Sequence, residues 1–224
     1  MPVKRLFSEH SPLPDHADLT QEVALWQSGC RAVAGVDEAG RGAWAGPVVA
    51  GAVILPPDAG KLTPLLGQVD DSKKLTPAAR ERLFDVIHAY ALAIGVGATP
   101  ADEIDRLGIL PANLLAMRQA IATLAVAPDF LLLDYVALPD APCPQRGLPH
   151  CDALSLSIAA ASIIAKVTRD RWMAGQEARY PGYGFGRHKG YGTLEHRAAL
   201  ARLGPCLLHR LSFRPVRICQ EASP

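Results

Sequence analysis

A chain of 224 residues, 49% hydrophobic and 20% charged, is long enough to bury a substantial core in one compact domain with a short appended part. Its most apolar windows, Val48 to Leu55 and Ala89 to Ala98, fall far short of the roughly 20 residues that span a bilayer. No apolar stretch follows Lys4 and Arg5 as a secretory signal would require, so neither a membrane protein nor a secreted one is expected. Five cysteines without a Cys-x-x-Cys pair argue against a disulfide framework and a zinc site, and fit a reducing cytoplasm.

The net charge of +1 conceals an asymmetry. From Lys166 onward there are eleven basic residues against four acidic ones, an excess of +7, and the first 165 residues carry the balancing −6. A polyanion could dock on the basic part while an acidic centre elsewhere holds cations. Charge alone leaves the other reading open, that these arginines line solvated helix faces.

In chain order, Arg31 to Asp37 and Pro47 to Leu55 read as two strands joined by a Gly-rich turn. Thr76 as N-cap, with Pro77 at the first helical position, opens a helix that runs to about Tyr90. Ala91 to Ala98 is a third strand, followed by a short helical piece at Asp102 to Leu107. A longer helix, Pro111 to Leu124, carries apolar residues at Leu114, Leu115, Ile121 and Leu124. Phe130 to Asp134 is a fourth strand and Leu148 to Asp152 a fifth; Ser157 to about Ala178 is the longest helix, and Thr193 to Leu203 closes the series. This order predicts an α/β domain, a mixed sheet flanked by helices.

Two carboxylates stand where decoration of a solvated surface is a poor explanation. Asp37 follows the apolar run Ala32 to Val36, and Asp134 follows Phe130 to Leu133, so each ends a buried strand. If the strand ends lie side by side, the carboxylates are a costly pair unless cations sit between them. Oxygen ligands without His or Cys suit Mg²⁺ or Mn²⁺, and two such ions can activate water in phosphodiester hydrolysis. Glu38 should face away from Asp37, because consecutive strand residues alternate. The following Ala39-Gly40-Arg41-Gly42 can end the strand there and let the backbone approach a ligand closely. An ordinary acidic turn after a strand is the alternative.

Five segments then resemble ribonuclease HII, in that family's order. They are AGVDEAGRGAWAGPVVAGAVIL at Ala34 to Leu55, DSKKL at Asp71 to Leu75, SIAAASIIAKVTRD at Ser157 to Asp170, YPGYGFGRHKGYGT at Tyr180 to Thr193, and HRLSFRPV at His209 to Val216. A lone Gly-Arg-Gly would be weak; the ordered series is specific.

The resemblance implies a metal-binding acidic set at Asp37, Glu38, Asp134 and Asp152. The residues alone do not choose Asp152 over Asp170, which lies between Arg169 and Arg171 where a salt bridge is natural; the family's spacing before SIAAAS favours Asp152. Tyr135 and Cys151 stand where the family usually has glycine, which bears on local backbone geometry. The resemblance also implies that Gly40, Arg41 and Gly42 grip the sugar-phosphate of a ribonucleotide, and that Tyr191 works with them at the ribo/deoxyribonucleotide junction through the 2′-OH. Ser72, Lys73, Lys74, Lys166, Arg187, His188 and Lys189 fit phosphate contacts. For the lysines a solvated face, and for His188 a structural role, is the competing reading.

For the whole protein the resemblance implies an RNase H-like fold, a mixed five-stranded sheet with flanking helices and a helical C-terminal extension. It would be divided as an N-terminal extension (1–30), a catalytic domain (31–180) and a substrate-binding extension (181–224) on the same domain. The expected reaction is endonucleolytic hydrolysis of the RNA strand of RNA/DNA hybrids by two Mg²⁺ or Mn²⁺ ions. It leaves 5′-phosphate and 3′-hydroxyl ends and includes incision 5′ to single ribonucleotides in duplex DNA. A cytoplasmic monomer is expected, and the residues after Val216 are where a tether to a replication clamp would sit. Type 3 ribonuclease H usually carries an extra N-terminal domain, for which the 30 or so residues before the first motif are too few. A hybrid-binding or repair-scaffold protein without catalysis is the rival from another class, and the presence of all four acids argues against it.

Overall fold

The structure, a computed structural model, describes residues 17–66, 75–134, 136–148 and 155–221. Ser72, Lys73, Lys74, Asp152, Tyr135 and Cys151 lie outside them. The described elements are α1 (Thr20–Gln27), β1 (Val33–Ala39), β2 (Val48–Ile54), α2 (Ala59–Leu66), α3 (Pro77–Tyr90), β3 (Ala93–Thr99), α4 (Ala101–Leu107) and α5 (Ile109–Ala122), followed by β4 (Phe130–Asp134), β5 (Gln145–Leu148), α6 (Leu156–Gly175), α7 (Phe185–His188), α8 (Leu194–Leu203) and α9 (Arg214–Glu221).

The strands form one mixed sheet in the order β3-β2-β1-β4-β5, with β1 central. β1 pairs parallel with β4, and β4 pairs parallel with β5. All seven residues of β2 are buried, as in a strand covered on both faces. The expected strands β1 to β4 stand within two residues of their ends. β5 does not: it lies at Gln145–Leu148, upstream of the expected Leu148 to Asp152. Its sequence QRGL has no apolar alternation. Its place is set by pairing with β4 at the sheet edge, and by Gln145, whose amide accepts from Leu138 N at 2.8 Å and donates to Leu138 O at 2.7 Å.

Thr76 caps α3 as expected, its hydroxyl accepting from Ala79 N, with Pro77 at the first helical position. Thr193 does the same for α8 through His196 N. The sequence pattern does not reveal α1, α2, α7 and α9, each of eight residues or fewer. Helices this short are unstable alone and exist through their packing, which local pattern does not report. The stretch after Val216 continues α9 to Glu221, with Val216 buried and Ile218 half exposed.

Within the described residues the chain divides into two compact units, one drawn from Met1–Asp37, Ala52–Ile94 and Leu124–Ile163, the other from Glu38–Gly51, Gly95–Thr123 and Ile164–Pro224. In the first unit, Leu25, Val33, Phe130, Leu132 and Ile158 pack as a buried cluster with Trp26 and Cys30 against it. Asp129 ties the starts of β1 and β4 together, accepting from Arg31 N at 2.6 Å and Ala32 N at 3.1 Å. The first turn of α6 is capped by Glu22 of α1, wholly buried, whose Oε1 accepts from Ser155 Oγ (2.6 Å), Ser157 N (2.9 Å) and Ser157 Oγ (2.6 Å). A carboxylate there also meets the positive end of the helix dipole. Burial nevertheless pushes the Glu22 carboxyl above its ordinary value, against the pull of these donors.

Gly35 of β1 is what lets this turn come so close, because a Cβ there would stand 2.1 Å from Ser157 C and 2.3 Å from Ile158 N. Both obstacles are backbone and cannot turn aside. Gly35→Ala is expected to lower the unfolding free energy by about 3 kcal/mol, the upper part of the range for overpacking. Urea unfolding measures this, and a midpoint equal to that of the unsubstituted protein would contradict the close approach.

Candidate active site

The β1–β4 register decides the geometry of the first two expected acids. Val33 lies beside Phe130, and the pairing continues to Val36 beside Leu133, so the next pair in register is Asp37 and Asp134. Neighbouring strands run about 4.8 Å apart, and in-register residues of parallel strands point to the same face. The two carboxylates therefore stand side by side, Asp37 buried at 7% exposure and Asp134 half buried. Among the described residues no group of three or more His, Cys, Asp or Glu is placed to hold a metal ion, and Asp152 lies outside them.

β1 runs on through Ala39, so the strand does not end at Glu38. Glu38 Oε1 accepts from Arg41 Nη1 at 3.1 Å, while Oε2 is buried without a hydrogen-bond partner among the described residues. A buried carboxylate oxygen in that state is costly. Donors of this kind, all hard oxygens, fit a divalent cation such as Mg²⁺ or Mn²⁺.

In the second unit, two buried arginines organise the loop from Gly40 to Pro47. Arg169 of α6 donates to Pro47 O (2.8 Å), Ala45 O (3.0 Å) and Lys189 O (2.9 Å). Arg210 donates to Gly46 O (3.0 Å), Arg41 O (2.9 Å) and Gly40 O (2.8 Å). Both are 0% exposed, and each spends its guanidinium fork on backbone carbonyls. Gly40 is required by this arrangement: its φ is +94°, and a Cβ would stand 2.0 Å from Arg169 Nε. With the carbonyls of Gly40 and Arg41 turned inward, Arg41 and Gly42 remain exposed at the edge of the turn. Burial pulls both guanidinium pKa values down. For Arg210, with the repulsion of Arg169 added, the value falls to about 9, which still leaves it charged at neutral pH.

In the sequence both arginines count only as members of a general basic excess. A signal is available for Arg169, because Ala161, Ala165, Arg169 and Met173 form one helical row at four-residue spacing, and all four are fully buried. Glu22 has none, since α1 itself is not expected from the pattern.

Tyr191 is half exposed, with its ring under Lys166 Nζ and Arg169 Cζ, each 5.2 Å from the centroid. Lys166 also pairs with Asp170 at 2.7 Å, so Asp170 is ion-paired, with Lys166 rather than the flanking arginines. Arg187 is exposed and paired with Glu195. Lys189, at φ 53°, holds Gly186 O through Nζ and Arg169 through its own carbonyl. His188 needs a correction: it is buried, Nε2 meets Tyr183 O at 2.7 Å, and Nδ1 accepts from Gly190 N at 3.1 Å. Both ring nitrogens are occupied, so none is left for a phosphate.

His188 stacks on His196 with ring centroids 4.3 Å apart, and His196 Nε2 lies 3.1 Å from His209 Nε2. Burial first, and then neighbouring imidazoles, pull His196 and His209 each down to about 4. These rings are neutral at neutral pH.

Two carboxylates on adjacent central strands, and a second unit rich in buried and exposed cations, are what a metal-assisted hydrolase of nucleic acid presents. The comparisons with known proteins narrow this class. Residues 34–216 match the family model for Ribonuclease HII. The Ribonuclease HII of Chloroflexus aurantiacus is 55% identical over 199 residues, covering 89% of this chain and 94% of that one. Among solved structures, the ribonuclease H2 from Pyrococcus horikoshii superposes with a TM-score of 0.71 at 27% identity, over 84% of this chain and 97% of that one. Bst-RNase HIII in complex with Mn²⁺ shares the fold at a TM-score of 0.69 and 19% identity, over 97% of this chain and 75% of that one. The chain belongs to the ribonuclease HII family. It is accordingly a ribonuclease H, a hydrolase of the RNA strand of RNA/DNA hybrids, from a family dependent on divalent metal.

The histidine cluster generates a pH dependence with a definite sign. With folded values near 4 against 6.5 for the free side chain, the unfolded chain takes up protons first as pH falls. The contribution of these rings to stability is complete above pH 6.5, is lost between 6.5 and about 4, and changes no further below that. The groups facing the rings are His188, Cys206, Tyr183 and the Tyr191 carbonyl, none of them an anion that would oppose the shift at these pH values. Imidazole titration by NMR, alongside thermal melts, should show both rings neutral at pH 5; a midpoint near 6.5 for either would mean the cluster is solvated.

Proposed function

We propose that this chain incises the RNA strand at a centre held by Asp37, Glu38, Asp134 and Asp152, which bind two divalent ions, and that it leaves 5′-phosphate and 3′-hydroxyl ends. The observation that carries this reading is the parallel β1–β4 register up to Val36 beside Leu133, after which Asp37 and Asp134 come next on the two strands. Two adjacent carboxylates repel, and cations between them turn that cost into binding. Mg²⁺ or Mn²⁺ bound there would polarise the scissile phosphate and lower the pKa of an attacking water. The role of the side chains is to supply oxygen ligands from rigid strand ends, with little to reorganise on binding. The unpartnered oxygen of Glu38 supports its membership of the set. Asp152 enters through its place before the SIAAAS segment.

The second part of the proposal is substrate choice. The exposed edge of the Gly40-Arg41-Gly42 turn, backed by Arg210, and the ring of Tyr191, backed by Lys166 and Arg169, are suited to sensing a 2′-OH and the sugar-phosphate around it. This supports incision 5′ to a single ribonucleotide embedded in duplex DNA. Arg41, Arg187 and Lys189, together with Ser72, Lys73 and Lys74, would meet phosphates, positioning the duplex without reading its sequence.

Asp37→Asn and Asp134→Asn are each expected to cut the cleavage rate by about a thousandfold or more, since each removes a metal-binding charge, while the melting temperature is held or raised as the repulsion is relieved. Full activity in either would remove the pair from the centre. Tyr191→Ala should slow cutting at a single embedded ribonucleotide by about tenfold, the worth of one aromatic stacking contact. An unchanged rate on that substrate would take Tyr191 out of the site.

A further inference from the structure

The three buried histidines and the Tyr191 loop are joined in a way that fixes a direction. Cys206 N–H points at His209 Nδ1 at 2.9 Å, and the Cys206 thiol lies 3.2 Å from the same nitrogen. A backbone N–H can only donate, so Nδ1 of His209 is the acceptor and carries no proton. The Cys206 carbonyl, 3.3 Å away, is already taken by the N–H of His209 at 2.9 Å. The proton of neutral His209 therefore sits on Nε2, which must donate to His196 Nε2 at 3.1 Å. That leaves the proton of His196 on Nδ1, which donates to Tyr191 O at 3.0 Å. The same carbonyl accepts from Thr193 N at 2.8 Å. On the other side, Gly190 N donates to His188 Nδ1, and Tyr191 N donates to His188 O at 2.9 Å. Every nitrogen in the set is committed, and every tautomer is dictated by a backbone group.

We propose that His209 and His196 are positioning residues for the ribonuclease reaction, forming a one-directional hydrogen-bond chain from the Cys206 backbone to the Tyr191 carbonyl that sets where the Tyr191 ring stands. The inference rests on the reading of Tyr191 as the ribonucleotide-sensing ring. The chain has no room for an added proton. Protonating His209 would set N–H against N–H at Cys206, and protonating His196 would do the same at His209. The chain thus holds the loop only while both rings are neutral, which burial among aromatic rings secures: Tyr183, Phe185 and Trp44 each lie within 5.7 Å of one of them. His188, stacked on His196 and bonded to the backbone on both sides of the loop, prevents the loop from sliding along the stack.

The decisive experiment uses the full chain and reads two quantities. Long-range ¹H–¹⁵N NMR of the imidazoles at pH 7 is expected to show His196 as the Nδ1–H tautomer and His209 as the Nε2–H tautomer, both neutral; His196 protonated on Nε2 would overturn the chain. Cleavage is then compared for His196→Asn, whose amide nitrogen falls near the lost Nδ1, and His196→Gln, whose amide falls near Nε2. The Gln variant should lose about tenfold in kcat on a duplex with one embedded ribonucleotide, the worth of one buried hydrogen bond, with KM little changed. The Asn variant should retain most of that kcat. A general packing defect would harm the smaller Asn at least as much, so equal loss in the two overturns the positioning role. If instead Tyr191→Ala leaves that substrate's rate unchanged, the reading of Tyr191 fails and the catalytic consequence fails with it, while the tautomer pattern still decides whether the chain exists.

Discussion

Parallel strands in register carry their side chains in matched rows, and β1 and β4 end their matched rows on Asp37 and Asp134. The pairing that builds the centre of the sheet therefore also forces two like charges together. Such an arrangement is unfavourable for the apoprotein and favourable for a protein that binds cations, and the strand ends are rigid enough to sustain it. Much else in the first unit serves that register. Asp129 ties the two strands at their start, Gly35 admits the first turn of α6, and Glu22 caps that turn from α1.

The second unit solves a different problem, holding an irregular loop in place without regular hydrogen bonding. Arg169 and Arg210 donate to five carbonyls of the stretch from Gly40 to Pro47, and Arg169 takes Lys189 as well. A charged fork is well suited to this, because each of its bonds is charge-assisted and its planarity fixes the relative placement of the carbonyls. Lysine could not replace it. The same guanidinium of Arg169 lies against the ring of Tyr191, so the shape of the turn and the placement of the aromatic share one support.

The basic excess of the chain after Lys166 thus has two kinds of member. Arg187 and Arg197 remain at the surface, the first paired with Glu195 and the second over the Trp44 ring, whereas Arg169 and Arg210 are internal struts. A count of charges sums these alike. Only burial separates the cations available to a polyanion from those already committed to the backbone.

Elements whose cause is local are legible in the chain. Apolar runs ending in an acid specify β1 and β4, Thr76 with Pro77 opens α3, and Thr193 opens α8. Five ordered motifs are enough to place the chain in its family, which the comparisons show. Features whose partner is distant in the chain become visible in the fold alone. β5 exists by pairing with β4 rather than by its own composition, and α1 matters through a carboxylate that meets Ser155 and Ser157 more than 130 residues away. His188, which the sequence offers as a phosphate contact, has both nitrogens filled by backbone groups. The reason is common to all of these. Local pattern reports how a residue suits its neighbours in the chain, while the role of a polar side chain is set by the donors and acceptors that folding brings to it.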